Sequence, residues 1–535
     1  MVVALSSTHG MNILAKLDVT QLIALAEKQF SLQSHMRSLW QTLGDHFYAE
    51  RADFTVTRNV GTEFADGLMD SYPLLIRRDL GNSLSAMLRD GRWFKMGAFD
   101  RKPDYASLNW LEASTDKLFK LMYHRTAGFV RAAKEGDHDF VTFGNCVKSV
   151  EMNRLRNGLL FRCWHLRDCA WFEDENGQVC GIFRKARMTT RDMMSYFGED
   201  NIHKSILTNA AQKPFEEHEM MHMHIPMTYY GDDKPHAYVS IWLDISNRHI
   251  CEEVPMHHKM YIVPRFQTIS GSAYAYSPAT TVGLTDARCL QAMTHTLMEA
   301  AERYARPPII ATQKAVRGDI DLSADGITWV DEDYDERLGA SLRTLGQDRG
   351  GFPVGASERE RVIDTLTSAF YLSKLTLPDA KSGQMTAYEV SERMKQYRRE
   401  NLPLFAPIEA EDNGQTCELA FEIAMRNGLL GSPYDVPPRI RGADVEFKFE
   451  SPLTSSENEE IAQRYAQTRE MLAGALAIDP FIGAEIDLAT AVREAVTGIG
   501  APASWLTDPE LAMQKRMAQQ MEQMQRQQQQ QQAVA

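Results

Sequence analysis

Cysteine is sparse. Seven are spread over 535 residues (Cys146, Cys163, Cys169, Cys180, Cys251, Cys289 and Cys417), and no two form a C-x-x-C pair. The pattern excludes a disulfide scaffold and suits free thiols in a reducing compartment, so synthesis in a cytoplasm is expected. No run approaches the roughly 18 consecutive apolar residues that span a bilayer. The opening MVVALSSTHGMNILAKLD has no basic region leading into an apolar core and cleavage site, so neither a membrane span nor a signal peptide is expected. The string G-x-x-x-x-G-K-[ST] is missing, and with it the phosphate-cradling loop of ATP-driven motors. Any ATP-driven work would come from a partner. A basic excess is missing too: Lys and Arg number 58 against 72 Asp and Glu, a formal net charge of −14. A chain of that sign repels polyanions, which disfavours a sequence-reading DNA binder.

What is present is an ordinary globular composition, 44% hydrophobic and 24% charged, which excludes wholesale disorder. At roughly 150 residues per domain the length implies about three or four packed units. Residues 18–50 and 60–90 carry apolar side chains at three- and four-residue spacing (Leu22, Leu25, Ala26; Phe64, Leu68, Leu75), which predicts a helical N-terminal region. From 138 to 275 the texture changes to short runs, Leu159 to Trp164, Val179 to Phe183 and Ala237 to Leu243, separated by Glu175-Asn176-Gly177 and Gly231-Asp232-Asp233. Aromatic and β-branched enrichment between such turns predicts antiparallel strands.

The segment 284–430 is the most informative. A helix starting at Thr285 places Leu290, Met293, Leu297, Ala300 and Tyr304 on one face and stops at Arg306-Pro307-Pro308. A second opens on the capping box Ser357-Glu358-Arg359-Glu360, carries Val362, Leu366, Ala369, Phe370 and Leu377, and stops at Pro378. Each should run about 30 Å. Between them lies an insert with strand-like Ile309-Ile310 and Ile327 to Val330, next to acidic Asp331-Glu332-Asp333, so two matched helices bracket a small αβ lobe. A ten-residue loop, Thr376 to Met385, leads to another capping box, Thr386-Ala387-Tyr388-Glu389, and a third helix that Pro403 and Pro407 must bend. Further on, the sequence predicts a strand from Val445 to Phe449, helices near 456–476 (opening at Ser456 to Glu459) and 487–497, and a last helix from Thr507. That helix carries Met513, Met517, Met521 and Met524 on one stripe before a Gln run, 527–532, read as a free polar tail. The stripe suits self-association in a ring or bundle.

His218-Glu219-Met220-Met221-His222 matches H-E-x-x-H, in which a helix puts two imidazoles on one zinc and the Glu activates water. Pro214 and Pro226 leave little room for a helix here, and Met220, His222, His224 and Pro226 alternate with period two. On a strand, His218 and His222 lie about 13 Å apart, too far for one ion. A zinc metallopeptidase using His218, Glu219 and His222 is therefore the alternative reading. His257-His258 reads as a solvated pair, and Cys163, Cys169, Cys180 and His165 lack the two-residue gaps of a zinc ribbon. The basic cluster Arg393, Lys395, Arg398 and Arg399 reads as a solvated or intersubunit face with Glu389, Glu392 and Glu400.

Taken in order, several segments resemble the portal (head-to-tail connecting) proteins of short-tailed bacteriophages. Val263-Pro264-Arg265-Phe266 is similar to that family's P-R-W/F segment. Gly271-Ser272-Ala273-Tyr274-Ala275-Tyr276-Ser277-Pro278-Ala279 is similar to its G-x-x-Y-G-R-S-P-A, with Ala275-Tyr276 in place of Gly-Arg. Pro307-Pro308-Ile309-Ile310 follows the first long helix as in the family, and Met385-Thr386-Ala387-Tyr388-Glu389-Val390 resembles M-T-A-T-E-V. Trp93-Phe94-Lys95-Met96 resembles the W-F-x-L that ends its early helical region. The likeness covers about 55–430.

The resemblance implies an α+β portal fold. A wing (1–283, with its antiparallel β part at 138–275) would surround stem helices 284–305 and 357–377. A clip (306–356) would follow the first stem helix, then a tunnel loop (378–385), a kinked helix with return wing (386–450), a helical crown (451–526) and a disordered Gln-rich tail (527–535). It implies a ring of twelve copies at one capsid vertex of the virion, made in the host cytoplasm. That ring would conduct double-stranded DNA without sequence specificity during packaging and ejection. Expected partners are other copies of the chain, the terminase large subunit, the tail adaptor, and the major capsid and scaffolding proteins, with no membrane, no cofactor and no catalytic residues. By position, Lys374, Lys381, Ser382, Gly383 and Gln384 would face the channel. Arg317, Asp319, Trp329, Asp331, Glu332 and Asp333 would belong to the docking lobe. Twelve copies would carry about −170 in total, a field that keeps DNA from adhering.

Overall fold

Asp18 starts the first helix: its carboxylate accepts from the Gln21 N–H at 2.7 Å while the Gln21 side chain accepts from the Asp18 N–H at 3.0 Å. The computed structural model describes residues 16–59, 61–89, 91–99, 101, 103–232, 234–305, 309–311, 342–344, 351–372, 408–449, 464–472, 487–498, 505–507 and 509–534. Helix α1 (Val19–Leu32) buries Leu22, Ala26 and Phe30, one face at helical spacing, and α2 (Ser34–Phe47) follows. The helix expected over 60–90 begins only at Tyr72, as α3 (Tyr72–Leu88), so Phe64 and Leu68 lie outside it. Gly61 in the left-handed region (φ 89°) and Gly67 interrupt the earlier stretch. Asp70 accepts from the Tyr72 N–H at 2.9 Å, and Pro73 fits a first turn that needs no N–H. Helices α4 (Tyr105–Met122) and α5 (Phe129–Phe143) complete the N-terminal set.

The β region is antiparallel as its texture predicts. Strands β2 (Val147–Met152), β3 (Leu159–Trp164) and β9 (Tyr261–Ile262) form one sheet in the order β3-β2-β9. Strands β4 (Cys169–Glu173), β5 (Val179–Thr189), β6 (Glu217–Pro226), β7 (Tyr238–Asp244) and β8 (His249–Met256) form a five-stranded sheet in sequence order. Tyr261 of β9 reaches Arg184 and His222 of the five-stranded sheet. Two helices that the sequence reading did not separate from the strands, α6 (Thr190–Phe197) and α7 (Lys204–Ala210), sit between β5 and β6, followed after β6 by the single turn α8 (Met227–Tyr230). Thr189 makes the change from strand to helix, its hydroxyl accepting from the Asp192 N–H at 3.2 Å.

Trp93 to Met96 follow the end of α3 and lead into a strand. Strand β1 (Phe94–Ala98) pairs with β12 (Val445–Phe449), Phe94 opposite Phe449. Trp93 stacks on Phe129 and Phe449 at 6.3 and 6.0 Å, and this cluster forms one core with α4 and α11 (Gln415–Arg426). A second core lies between α1 and one face of the five-stranded sheet, and a third between α6, α7 and Trp242.

The first of the two long helices, α9 (Leu284–Ala305), matches its expected span, and strands β10 (Ile309–Ala311) and β11 (Leu342–Thr344) pair antiparallel in the insert that follows. The second, α10 (Gly351–Ala369), starts six residues before the expected capping box, so Ser357 is an interior residue and caps nothing. Pro353 sits in the first turn, where its missing N–H costs no hydrogen bond. The helix ends at Ala369 rather than 377, because Tyr371 takes φ 58°. Helices α12 (Leu488–Gly498) and α13 (Pro509–Val534) and a helical stretch at 464–472 follow, with Ser456 to Glu459 outside the described residues. Helix α13 runs through the Gln run that was expected to be a disordered tail. Glutamine loses little rotamer freedom in a helix, so the run continues the helix begun at Pro509.

The chain clusters into two units: residues 1–37, 81–276 and 377–535, and residues 38–80 and 277–376. Residues 38–80, expected with the rest of 1–283, thus group with the two long helices.

Candidate functional site

The second unit is built on the α9–α10 pair. Gly283 lies against Phe370, Thr294 against Arg359 and Leu297 against Gly355, so the helices run antiparallel in one continuous register. At 22 and 19 residues they span about 33 and 28 Å. A Cβ on Gly283 would stand 2.9 Å from the Phe370 ring and 3.1 Å from that of Phe47, so only glycine admits this approach. Burial is concentrated at this end, where Ala287, Leu290, Leu366 and Phe370 are shut off from solvent. Farther along, Met298 and Val354 are 53% and 63% exposed. That half of the pair has no apolar cover within the described part of one chain.

A strap at 69–72 ties both helices together. Gln291 of α9 accepts from the Met69 and Asp70 N–H groups at 2.7 and 2.8 Å and donates to the Asp70 carbonyl at 2.7 Å. Arg359 of α10 donates to Asp70 Oδ2 at 2.5 Å, and Tyr72 Oη lies 2.5 Å from Thr367 Oγ1. Burial pushes the Asp70 carboxyl up, but the Tyr72 N–H and Arg359 outweigh it and hold it below its ordinary value. None of Asp70, Gln291 and Arg359 was singled out as a site residue from the sequence. Their separations of 221 and 289 positions leave no local signal.

The family-like segments of the first unit are buried joints. Arg265 pairs with Glu173 and with Glu411 (3.2 Å), donates to the Gly177 carbonyl at 2.9 Å, and gives its own N–H to Glu411 at 2.9 Å. Asn145 pairs with both backbone groups of Ala275 (2.9 and 3.0 Å), Trp171 Nε1 donates to the Ala273 carbonyl, and Tyr274 packs on Trp171 at 4.5 Å. Glu411 and Asp412 stand on a π-helical turn, Glu409–Gly414, an uncommon geometry here held by ion pairs on adjacent residues.

His218 to His222 lie on β6, as the alternation predicts. Arg184 Nε donates to Tyr261 Oη at 3.0 Å, and His222 bonds Tyr261 Oη through Nδ1 at 2.6 Å and Ser240 Oγ through Nε2 at 2.8 Å, so both ring nitrogens are engaged in either tautomer. His222 therefore has no lone pair left for a metal. His218 bonds Thr190 at 2.8 Å, and Glu219 faces outward near Arg187. Among the described residues no group of three or more His, Cys, Asp or Glu could hold a metal ion. Cys163, Cys169 and Cys180 are free thiols. His257 is exposed against His236, ring to ring at 4.3 Å, and His258 is half-buried.

The channel residues Lys374, Lys381, Ser382, Gly383 and Gln384 lie outside the described residues. So do the lobe residues Arg317, Asp319, Trp329, Asp331, Glu332 and Asp333, and the basic cluster at 393–399. The methionine stripe of α13 is described, and Met513, Met517, Met521 and Met524 are all more than half exposed. No helix among the described residues is long and apolar enough to cross a membrane.

A search of curated proteins finds no match. The sequence profile of the bacteriophage head-to-tail connecting proteins matches residues 19–506, nearly the whole chain with the helix pair and both buried joints inside it, and the chain belongs to that family.

Proposed function

We propose that the chain is the portal subunit of a short-tailed phage: a ring of twelve copies at one capsid vertex through which double-stranded DNA enters and leaves. Membership of a head-to-tail connecting family makes a structural, non-enzymatic role in the virion the starting point. The single observation that carries the finer reading is the antiparallel α9–α10 pair, braced at one end and bare of apolar cover at the other. A paired rod of about 30 Å with exposed apolar side chains is suited to packing beside copies of itself around a channel. In this reading α9 and α10 are the stem, the clip expected at 306–356 gives way to α10 from Gly351 and docks the terminase large subunit and later the tail adaptor, and 378–385 is the tunnel loop. The major capsid and scaffolding proteins are further expected partners. Met513 to Met524 of α13 would meet neighbouring copies in the crown. The net charge of −14 per copy keeps the channel particle from binding DNA tightly.

Negative-stain imaging with light scattering of the purified protein tests this. A radially symmetric particle with a central hole is expected, and a mass equal to one chain would refute it. Deleting 378–384 is expected to leave ring mass unchanged and abolish DNA packaging. A deletant that fails to form rings would refute its assignment as a free channel loop.

A further inference from the structure

Two buried imidazoles at the seam between the sheets are not accounted for by a connector role. His222 and His224 share one face of β6 and are each 1% exposed. His222 is fully engaged with Tyr261 and Ser240. His224 stacks on Tyr238 at 5.1 Å, yet neither ring nitrogen has a hydrogen-bond partner among the described residues. A neutral imidazole carries one donor and one acceptor, so both are unmet, and a proton added to either ring would be a buried cation.

The surroundings offer that cation little. Facing the two rings are Arg184 of β5, Tyr238 and Ser240 of β7, Tyr261 of β9, and His258 and Lys259 from the turn before β9. Cys169 of β4 and Glu151 of β2 act on Arg184 and Tyr261. Asp174 and Cys180, and from α11 Glu418, Glu422 and Arg426, act on Lys259 and His258. Burial first, and then the nearby cations, push His224 down to about 3 and His222 well below its ordinary value.

We propose that this seam is an acid-operated latch: protons reach His222 and His224 only when β6 parts from β9 and the 257–260 turn, so acid opens the joint between the two sheets. The sign follows from the depressed folded values. The opened chain binds these protons below the ordinary imidazole value of 6.5, whereas the closed seam holds His224 unprotonated down to about 3, so the closed form loses ground as pH falls through that window. For His224 the closed-to-open ratio falls about fiftyfold between pH 6.5 and 4.5, approaching tenfold per pH unit at the acid end, and His222 adds to the fall in the same direction. Asp137, Glu151, Glu252 and Glu418, whose carboxyls burial raises, act in the opposite direction as they take up protons in the closed form.

Hydrogen exchange of the full-length protein, corrected for the intrinsic pH dependence, reads the seam locally whatever the oligomer, so its result does not hinge on the portal reading. Peptides covering 217–226 and 238–244 are expected to lose protection steeply between pH 6.5 and 4.5 in the wild type. In His224→Phe, which keeps a ring on Tyr238, the slope should fall by about tenfold per pH unit. His224→Leu, with no ring, should show the same reduced slope if the phenylalanine variant packs poorly. Wild-type protection that does not change across this range, or an undiminished slope in both variants, would overturn the latch.

Discussion

Replacing Arg89 with Met is expected to destabilise the first unit by about 3–5 kcal/mol, because it leaves Asp137 buried without its cation and Asp412 with Lys148 alone. Arg89 donates to both oxygens of Asp137 (2.9 and 2.7 Å), to Asp412 (2.7 Å) and to Asn413 (2.9 Å), while Lys148 also pairs with Asp412. Two cations and two anions balance, and all four side chains are at most 8% exposed. Removing one cation leaves a net negative charge where water cannot screen it. Asp137, which burial already raises despite Arg89, would then take up a proton more readily. A carboxyl raised in the folded state adds stability as pH falls, so the variant's deficit should shrink on moving from pH 8 to pH 5. Urea unfolding of wild type and variant at both values checks this. A loss below about 1 kcal/mol, the size found for exposed pairs, would mean the cluster is solvated in practice.

Sequence reasoning worked where the signal was local. Leu159 to Trp164 and Val445 to Phe449 coincide with β3 and β12, α9 has the predicted span, and period-two spacing placed His218 to His222 on a strand despite the motif. It failed where a distant partner or a competing local option decided. Trp93 to Met96 form a strand because Val445 to Phe449, about 350 residues later, supply its edge. Ser357 to Glu360 have capping-box spacing, yet the helix had already begun at Gly351 and their N–H groups were spoken for. The strap from Asp70 to Gln291 and Arg359 joins positions 221 and 289 residues apart, and the cluster around Arg89 joins positions 48 and 323 residues apart. Each member alone looks like an ordinary charged or amide side chain. What was legible of the candidate site is thus the rods themselves, and what was not is the set of polar contacts that hold them in register.

That division suggests separating the fold of the helix pair from its use. Leu366 is fully buried on α10, one turn from Phe370, which packs on Phe47 at 5.4 Å, and the antiparallel register puts Ala287 opposite it. Leu366→Asp places a carboxylate in that apolar contact. The expected loss exceeds about 4 kcal/mol, enough to unfold the unit or keep the carboxyl protonated at neutral pH. Val354→Asp changes charge at the uncovered end, where the side chain is 63% exposed, so a single chain should fold normally. If neighbouring copies pack on that end, this variant should nevertheless fail to assemble. Near-UV circular dichroism and light scattering distinguish the two: Leu366→Asp is expected to lose both tertiary signal and rings, Val354→Asp only the rings. Rings of normal mass from Leu366→Asp would mean that the helix pair is not the structural centre of the unit. Normal rings from Val354→Asp would place the intersubunit contact elsewhere on the chain.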